Sequence, residues 1–358
     1  AAKQGDCNID VVCPEGDDWR AEIRSVGVYT LNGSWKCTGA MINNTAEDET
    51  PYFLTAQHCG VDPSDDETVV VYWNFESPEC GMLSGGSLDD AQTGAIWRAS
   101  HTSTDMTLLE LAAPPDTSWH VTFAGWDRSG VVPSGAVAIH HPSTDEKAIS
   151  FEDDPLQITS YTGYDTPGDG THWRVIDWDL GTTETGSSGS PLFDPWHRII
   201  GQLHGGYAAC GNDLSDWYGR FDLSWAGDGT DDGQLAHWLD PLGQEPLALA
   251  TLDPYGEDDP DDPDPPLPPA LVTLHGPPYN PLGAGGPVPI RFELPRAGHV
   301  QLTIHDLRGR RVAAIVDGEL PAGAHAPPWS SAGLAAGVYV VRLEALGEEH
   351  GLKFTLLR

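Results

Sequence analysis

Apolar residues in this chain come in short runs, and each run is closed by a cluster of turn-forming residues. Val69-Val70-Val71-Tyr72-Trp73, Leu108-Leu109-Glu110-Leu111 and Ala136-Val137-Ala138-Ile139 are typical, bounded by Gly, Pro, Asn and Asp. Runs of this length, rich in β-branched and aromatic side chains, predict strands. No long stretch carries the 3.6-residue apolar period of an amphipathic helix, and the best helix candidate is a short one over 234–239. Many short strands over about 250 residues predict a barrel or a pair of barrels. Near the C-terminus the alternation is cleaner. Segments 288–294, 300–305, 338–343 and 352–357 each predict one strand of a small sandwich, separated by turns such as Arg308-Gly309 and Ala322-Gly323.

Between the two patterns the composition changes. Residues 253–269 hold seven acids, seven prolines and no base, so they cannot bury apolar surface and predict an extended, self-repelling spacer. Charge shifts across it: 271–358 carry 8 basic and 7 acidic residues, net +1, whereas the remainder is net −37. Boundaries therefore fall at 1–251 for the first module, 252–270 for the linker and 271–358 for the last module. The 358 residues are 39% hydrophobic with 13 Trp, enough for a substantial core. The overall charge of −36 argues against nucleic acid and against an anionic membrane surface, and suits a cationic substrate. No apolar stretch reaches the eighteen or so residues of a membrane-spanning helix, so no membrane insertion is expected. Residues 1–6 lack the apolar segment of a signal peptide, as expected of a processed end.

The cysteines are Cys7, Cys13, Cys37, Cys59, Cys80 and Cys210, an even number with no Cys-x-x-Cys pair. That spacing speaks against zinc and for three disulfides in an oxidising compartment, although sequence alone leaves all the pairings open.

Three strings carry candidate chemistry. Gly186-Ser187-Ser188-Gly189-Ser190-Pro191 offers a serine on a tight turn, with backbone N–H groups free to face a developing oxyanion. Two serines compete there. Ser188, flanked by Gly at −2 and +1, leaves the N–H groups of Gly186 and Ser188 as donors. Phe53-Leu54-Thr55-Ala56-Gln57-His58-Cys59 places an imidazole at the end of an apolar strand, a general-base candidate once a serine is near. Ser103-Thr104-Asp105-Met106 puts an acid at the mouth of the strand through Leu111, where a histidine N–H could satisfy it. Read singly, each is matched by a bland alternative: an inactive Gly/Ser loop, a surface histidine, a turn-capping Asp.

In the order His58, Asp105, Ser188, the three strings resemble the triad motifs of chymotrypsin-type proteases. Further strings narrow the likeness. Residues 7–16, Ala124-Gly-Trp-Asp-Arg128, Ile139-His-His-Pro142, Gly201-Gln-Leu-His-Gly-Gly206 and Ser215-Asp-x-Tyr-Gly-Arg220 resemble the bacterial lysyl endopeptidases, over roughly 6–243. The resemblance implies an all-β, chymotrypsin-like double six-stranded β-barrel, with Cys7 paired to Cys210, Cys13 to Cys80 and Cys37 to Cys59. It implies that Asp216 is the specificity-pocket acid for lysine and that Gly205 and Gly206 line the edge where substrate adds as a strand. It sets His204 against an aromatic ring beside the triad, for which Tyr164 is the expected counterpart, and His140 and His141 are expected to be structural. The tail, from Asn280-Pro281 through Gly337-Val-Tyr-Val-Val-Arg-Leu343 to Lys353-Phe-Thr-Leu-Leu-Arg358, is similar to secreted bacterial immunoglobulin-like tails of the hook-cap type, related to type IX secretion sorting domains. That implies a small β-sandwich and export or surface display.

The expectation is thus a secreted or cell-surface serine endopeptidase cutting after lysine in proteins and peptides. It needs no cofactor or metal, binds no nucleic acid, engages export machinery or the cell surface through its tail, and is a monomer. Two alternatives remain: a trypsin-like enzyme that also accepts arginine, and a non-catalytic surface-binding protein on the same fold.

Overall fold

The computed structural model describes residues 3–255 and, beyond them, 273–275, 282–283, 290–294, 298–306, 308–320, 323–325, 327, 329–331, 334–346 and 348–357. Two compact units divide the chain, Ala1–Pro263 and Asp264–Arg358, and the division falls within the acidic Pro-rich stretch. Residues 256–270 of the expected linker lie outside the described residues.

The first unit is built on two curled antiparallel sheets. The first runs Ala91–Thr93, Val70–Tyr72, Val26–Leu31, Ser34–Met41, Tyr52–Ala56, Met106–Leu111, Ala95–His101 in spatial order. The second runs Ile9–Asp10, Ala148–Glu152, Ala136–His140, Pro191–Phe193, Arg198–Gly206, Asp216–Arg220, His172–Val175, Gln157–Thr159. Gly125–Asp127 joins it in parallel to Arg198–Gly206, and Ala248–Leu249 pairs with Gly125–Asp127. Among the described residues the sheets thus hold seven and ten strands rather than six each. Three of the additions to the second sheet are two- or three-residue pieces that no periodicity could flag.

Strand interiors are apolar because both faces are covered. Tyr29, Phe53, Val71, Trp73 and Leu109 fill the first sheet, and Ala138, Trp173, Leu192 and Leu203 fill the second. A third cluster, with Leu54, Leu108 and Met106 against Ile139, Phe193 and Ile199, seals the two together. At about 25 cal/mol per Å² of apolar surface, burial on this scale is the main stabilising term. The short helix expected over 234–239 is present as Ala236–Leu239, while Arg20–Ser25 and Phe221–Ala226 are helices that the sequence pattern missed. At six residues each they are too short to show a full apolar period.

In the second unit, Phe292 and Leu294 of a three-stranded sheet share a core with Leu302, Ile304, Val341 and Phe354 of a five-stranded one, a small sandwich. Arg311–Leu320, not expected from the sequence, is one of its strands. Its alternation is broken by two register shifts against Gly298–Asp306. No helix among the described residues is long and apolar enough to cross a membrane.

Asp194, just past Pro191–Phe193, is buried, and its Oδ1 accepts the N–H groups of Trp196 and Arg198 at 2.9 and 3.0 Å. Burial, and then the nearby Asp127 carboxylate, push its carboxyl up to about 7. The protonated form therefore favours the fold, fully so below the ordinary carboxylate range. That contribution is lost as pH rises toward 7. Asp194→Asn is expected to flatten this loss of stability between about pH 4 and 7, measured by denaturant unfolding at a series of pH values.

Candidate active site

The register of the first sheet brings two of the three strings together. Tyr52–Ala56 pairs with Met106–Leu111 so that Ala56 faces Met106. The turn after the one strand carries His58 and the residue before the other is Asp105. Asp105 closes a 3-10 turn with φ +57°, a left-handed conformation that Asp tolerates better than most residues. Its carboxylate, in a residue only 3% exposed, is met from one side by His58. The His58 backbone N–H donates to Oδ1 at 2.8 Å and ring Nδ1 lies 2.6 Å from Oδ2. The ring is thereby fixed with Nδ1 toward the acid, while the side chain stays 38% exposed. A disulfide from Cys37 to Cys59 ties this turn to the neighbouring strand.

The serine string comes from the second sheet and is docked onto the first by two bonds to Thr38, with a third from His141. Thr38 N–H donates to Ser188 O at 2.9 Å, Thr38 Oγ1 donates to Gly186 O at 2.9 Å, and His141 N–H donates to Thr38 Oγ1 at 3.1 Å. Gly189 packs against Thr55, Thr38 and the Ala56 backbone N, where a Cβ would collide with all three. Only Gln57 lies between Ala56 and His58. The two serines differ in burial. Ser187 Oγ is held 2.8 Å from His140 Nδ1 and accepts the Glu184 N–H at 3.2 Å, with the residue fully buried. Ser188 is half-buried. Among the described residues neither the Gly186 nor the Ser188 N–H has a hydrogen-bond partner. The Gly186 φ of +101° sustains that turn, and a Cβ there would sit 2.5 Å from the Thr144 backbone N. Ser188 Oγ makes no hydrogen bond to His58 within 3.5 Å.

His140 and His141 are structural. Both are fully buried, and burial pushes His140 down to about 3, so it stays neutral as it braces Ser187 and Ser150. His204 stacks on His58 with ring centres 5.6 Å apart, and its Nε2 lies 3.8 Å from Asp105 Oδ2. The expectation for Tyr164 is corrected: the ring on His204 is Tyr161, 3.6 Å away and within 2° of parallel. Tyr164 is 61% exposed, sits edge-on to Trp217 and carries the Arg174 guanidinium over its face. Both tyrosines lie in or beside the same loop, whose register no strand alternation marks.

Asp216 opens the strand Asp216–Arg220 opposite Gly206. It is 1% exposed, and its Oδ2 accepts from Thr183 Oγ1 at 2.6 Å and Trp178 Nε1 at 2.9 Å. Burial raises its carboxyl above the usual range, and these bonds with one from the Ala208 backbone pull it back. On the side away from Asp216–Arg220, residues 204–206 pair with no strand among the described residues, so the backbone edge at Gly205 and Gly206 is open. Thr183, Trp178, Thr38 and His172 are site residues that the sequence did not single out. None of the four stands out by spacing along the chain, His172 lying in the mixed strand His172-Trp173-Arg174-Val175.

The other disulfides are Cys7–Cys210 and Cys13–Cys80, and among the described residues no cysteine is free. His58, Asp105 and His204 present donor atoms within 4.8 Å of one another. A metal there would have to break the 2.6 Å His58–Asp105 bond.

A model of the lysyl endopeptidase C-terminal domain family matches residues 1–219. The lysyl endopeptidase of Pseudomonas aeruginosa is 28% identical over 237 residues, covering 61% of this chain and 49% of that protein. The chain thus spans about half the length of this curated relative. Among solved structures, an M. tuberculosis protease in its active form is 17% identical with a TM-score of 0.40, covering 62% of this chain and 88% of its own. A Glu endopeptidase is 18% identical with a TM-score of 0.38, covering 61% and 93%. Gly186→Ala is expected to lower the unfolding free energy by about 1–3 kcal/mol through the Thr144 clash and the strained φ, measured by denaturant titration against the parent chain.

Proposed function

The chain belongs to the lysyl endopeptidase family, and on that premise we propose that it is an exported serine endopeptidase cutting on the carboxyl side of lysine. The observation that carries the reading is the buried Asp105 carboxylate closed on both N–H groups of His58, beside a serine turn with two unpartnered N–H groups. Ser188 Oγ attacks the scissile carbonyl as His58 Nε2 takes its proton. Asp105 stabilises the imidazolium and holds Nδ1, which leaves Nε2 to the serine. The Gly186 and Ser188 N–H groups receive the oxyanion, each such donor typically being worth about 2.7–4 kcal/mol. Protonated His58 then delivers its proton to the leaving amine, and water releases the acyl group from Ser188. No step calls for a metal or cofactor. Three disulfides support an extracellular destination, and the tail sandwich is proposed to serve export or surface attachment.

Asp216 supports lysine over arginine. Its Oδ2 already accepts two side-chain donors, so a bidentate guanidinium would compete with Thr183 and Trp178 for that oxygen. A point-charge ammonium needs only one oxygen. The chain's own lysines are few: Lys3, Lys36, Lys147 and Lys353. Lys147 is fully buried, its Nζ donating to Ile23 O and Glu76 Oε1 at 2.8 Å each. Lys36 and Lys353 lie within sheet strands, and 252–270 hold none. Self-digestion would therefore spare the linker.

Digestion of a denatured protein mixture, with the new termini mapped, tests the proposal. Cuts are expected almost wholly after lysine, at least about tenfold faster than after arginine in matched peptides, and absent with Ser188→Ala. Comparable cutting after both residues would remove the lysine assignment. No cutting by the parent would favour a binding role. Rate on a lysine peptide is also expected to fall with added salt, since the acidic surface attracts cationic substrates through a screened field. A flat salt profile would contradict that attraction.

A further inference from the structure

Thr38 lies in the strand Ser34–Met41 of the first sheet and belongs to none of the three strings, yet its atoms reach the serine turn of the second. The residue is fully buried. Its Oγ1 donates to Gly186 O at 2.9 Å and accepts the His141 N–H at 3.1 Å. The partners fix the direction of both bonds, since a carbonyl oxygen only accepts and a backbone N–H only donates. We propose that Thr38 is a positioning residue whose hydroxyl holds the two oxyanion donors, the Gly186 and Ser188 N–H groups, in working geometry. The inference rests on the protease reading and adds to it a residue from the opposite sheet.

The peptide units of the turn show what the hydroxyl controls. In the unit 186–187, the carbonyl is held by Thr38 Oγ1 and the Ser187 N–H donates to Glu184 O at 3.0 Å. In the unit 188–189, the carbonyl accepts the Thr38 N–H at 2.9 Å and the Gly189 N–H donates to Leu203 O at 2.8 Å. Between them, Ser187 O accepts the Ser190 N–H at 2.9 Å. Of the six polar atoms in these three units, the Ser188 N–H alone has no partner among the described residues. The preceding unit, 185–186, carries the Gly186 N–H and makes no hydrogen bond of its own among the described residues. Its direction is therefore inherited through Gly186 from the unit that the Thr38 hydroxyl holds. Both donors flank that one unit, the Gly186 N–H before it and the Ser188 N–H after it.

Thr38 can serve as a strut because it does not move itself. Its own carbonyl accepts Thr55 Oγ1 at 2.8 Å, and its neighbour Cys37 is bridged to Cys59, next to His58. One strand segment thus references the general base and the oxyanion donors to each other. Without the hydroxyl, the Gly186 carbonyl and the His141 N–H would both be left unpaired in the interior. His141 is pinned by its ring Nδ1 at 2.8 Å from Asp145 O and by its stack on Phe75. Gly186 has no Cβ and sits at φ +101°, so the unit 186–187 is the part free to turn. Turning it misdirects the donors while leaving Asp216 and the edge at Gly205 and Gly206, which other bonds hold, as they are.

The test compares two ligands on the full chain. A peptide ending in lysinal adds Ser188 Oγ to its carbonyl carbon: the O–C bond forms, the carbonyl π pair moves onto oxygen and the serine proton passes to His58 Nε2. The new oxyanion then needs both N–H groups. The same peptide ending in lysinol fills the pocket and the edge but forms no adduct. Thr38→Val, which keeps the shape and removes the hydroxyl, is expected to weaken the aldehyde and lower kcat by about tenfold or more. KM and the lysinol inhibition constant are expected to stay within about twofold of the parent, and Thr38→Ser is expected to restore the aldehyde affinity and the rate. Thr38→Ala carries the same expectation should the valine chain not fold. Undiminished aldehyde affinity, or an equal loss for aldehyde and alcohol, overturns the proposal. So does a hydroxyl that proves necessary only for folding, with neither the valine nor the alanine chain folded while the serine chain is. A parent that cleaves no lysine peptide and binds neither ligand overturns the protease reading itself, whereas a parent that cleaves beside an unimpaired Thr38→Val overturns this inference alone.

Discussion

A single buried carboxylate organises this molecule. Asp105 is almost wholly withdrawn from water, and an unpaired charge there would cost several kcal/mol. The cost is offset by the two N–H groups of His58, which a strand register with Ala56 opposite Met106 delivers to it. The left-handed turn at Asp105, the Cys37–Cys59 bridge and the Gln57 N–H donating to Asp105 O at 2.8 Å all hold that meeting in place. The imidazole is thus oriented before any substrate arrives, which is the preorganisation that general-base chemistry needs.

The second sheet contributes the opposite requirement, groups left unsatisfied on purpose. The serine turn is anchored except at two backbone N–H groups. Its carbonyls at 186 and 188 are taken by Thr38, and Ser187 is locked between His140 and the Glu184 N–H. The Gly186 and Ser188 N–H groups are left open. Asp216 is treated similarly: enough donors surround it to make burial tolerable, and one oxygen is spared the side-chain donors. The acid and the strand edge at Gly205 and Gly206 follow from one pairing, Arg198–Gly206 against Asp216–Arg220.

The parts legible in the sequence were those whose chemistry is local. His58, Asp105 and Ser188 each sit in a short string whose neighbours serve the same turn, and alternation marked the long strands of both units. What escaped depends on pairing across distance. Thr183 and Trp178 meet Asp216, and His172 meets His204, only once the sheet is closed, and no spacing along the chain encodes those meetings. The exchange of Tyr161 for Tyr164 has the same origin. The segment between Gln157–Thr159 and His172–Val175 has no period to fix which ring faces inward. The short strands Gly125–Asp127 and Ala248–Leu249 and the six-residue helices were hidden because elements that brief carry no pattern of their own.

On the proposed mechanism the Asp105–His58 pair activates one serine, Ser188, rather than its buried neighbour. Reaction of the native chain with a fluorophosphonate, followed by peptide mapping, addresses this directly. One adduct per chain is expected, confined to Ser188 and abolished in His58→Ala. An adduct on Ser187, or a chain that takes up no label at all, would contradict it.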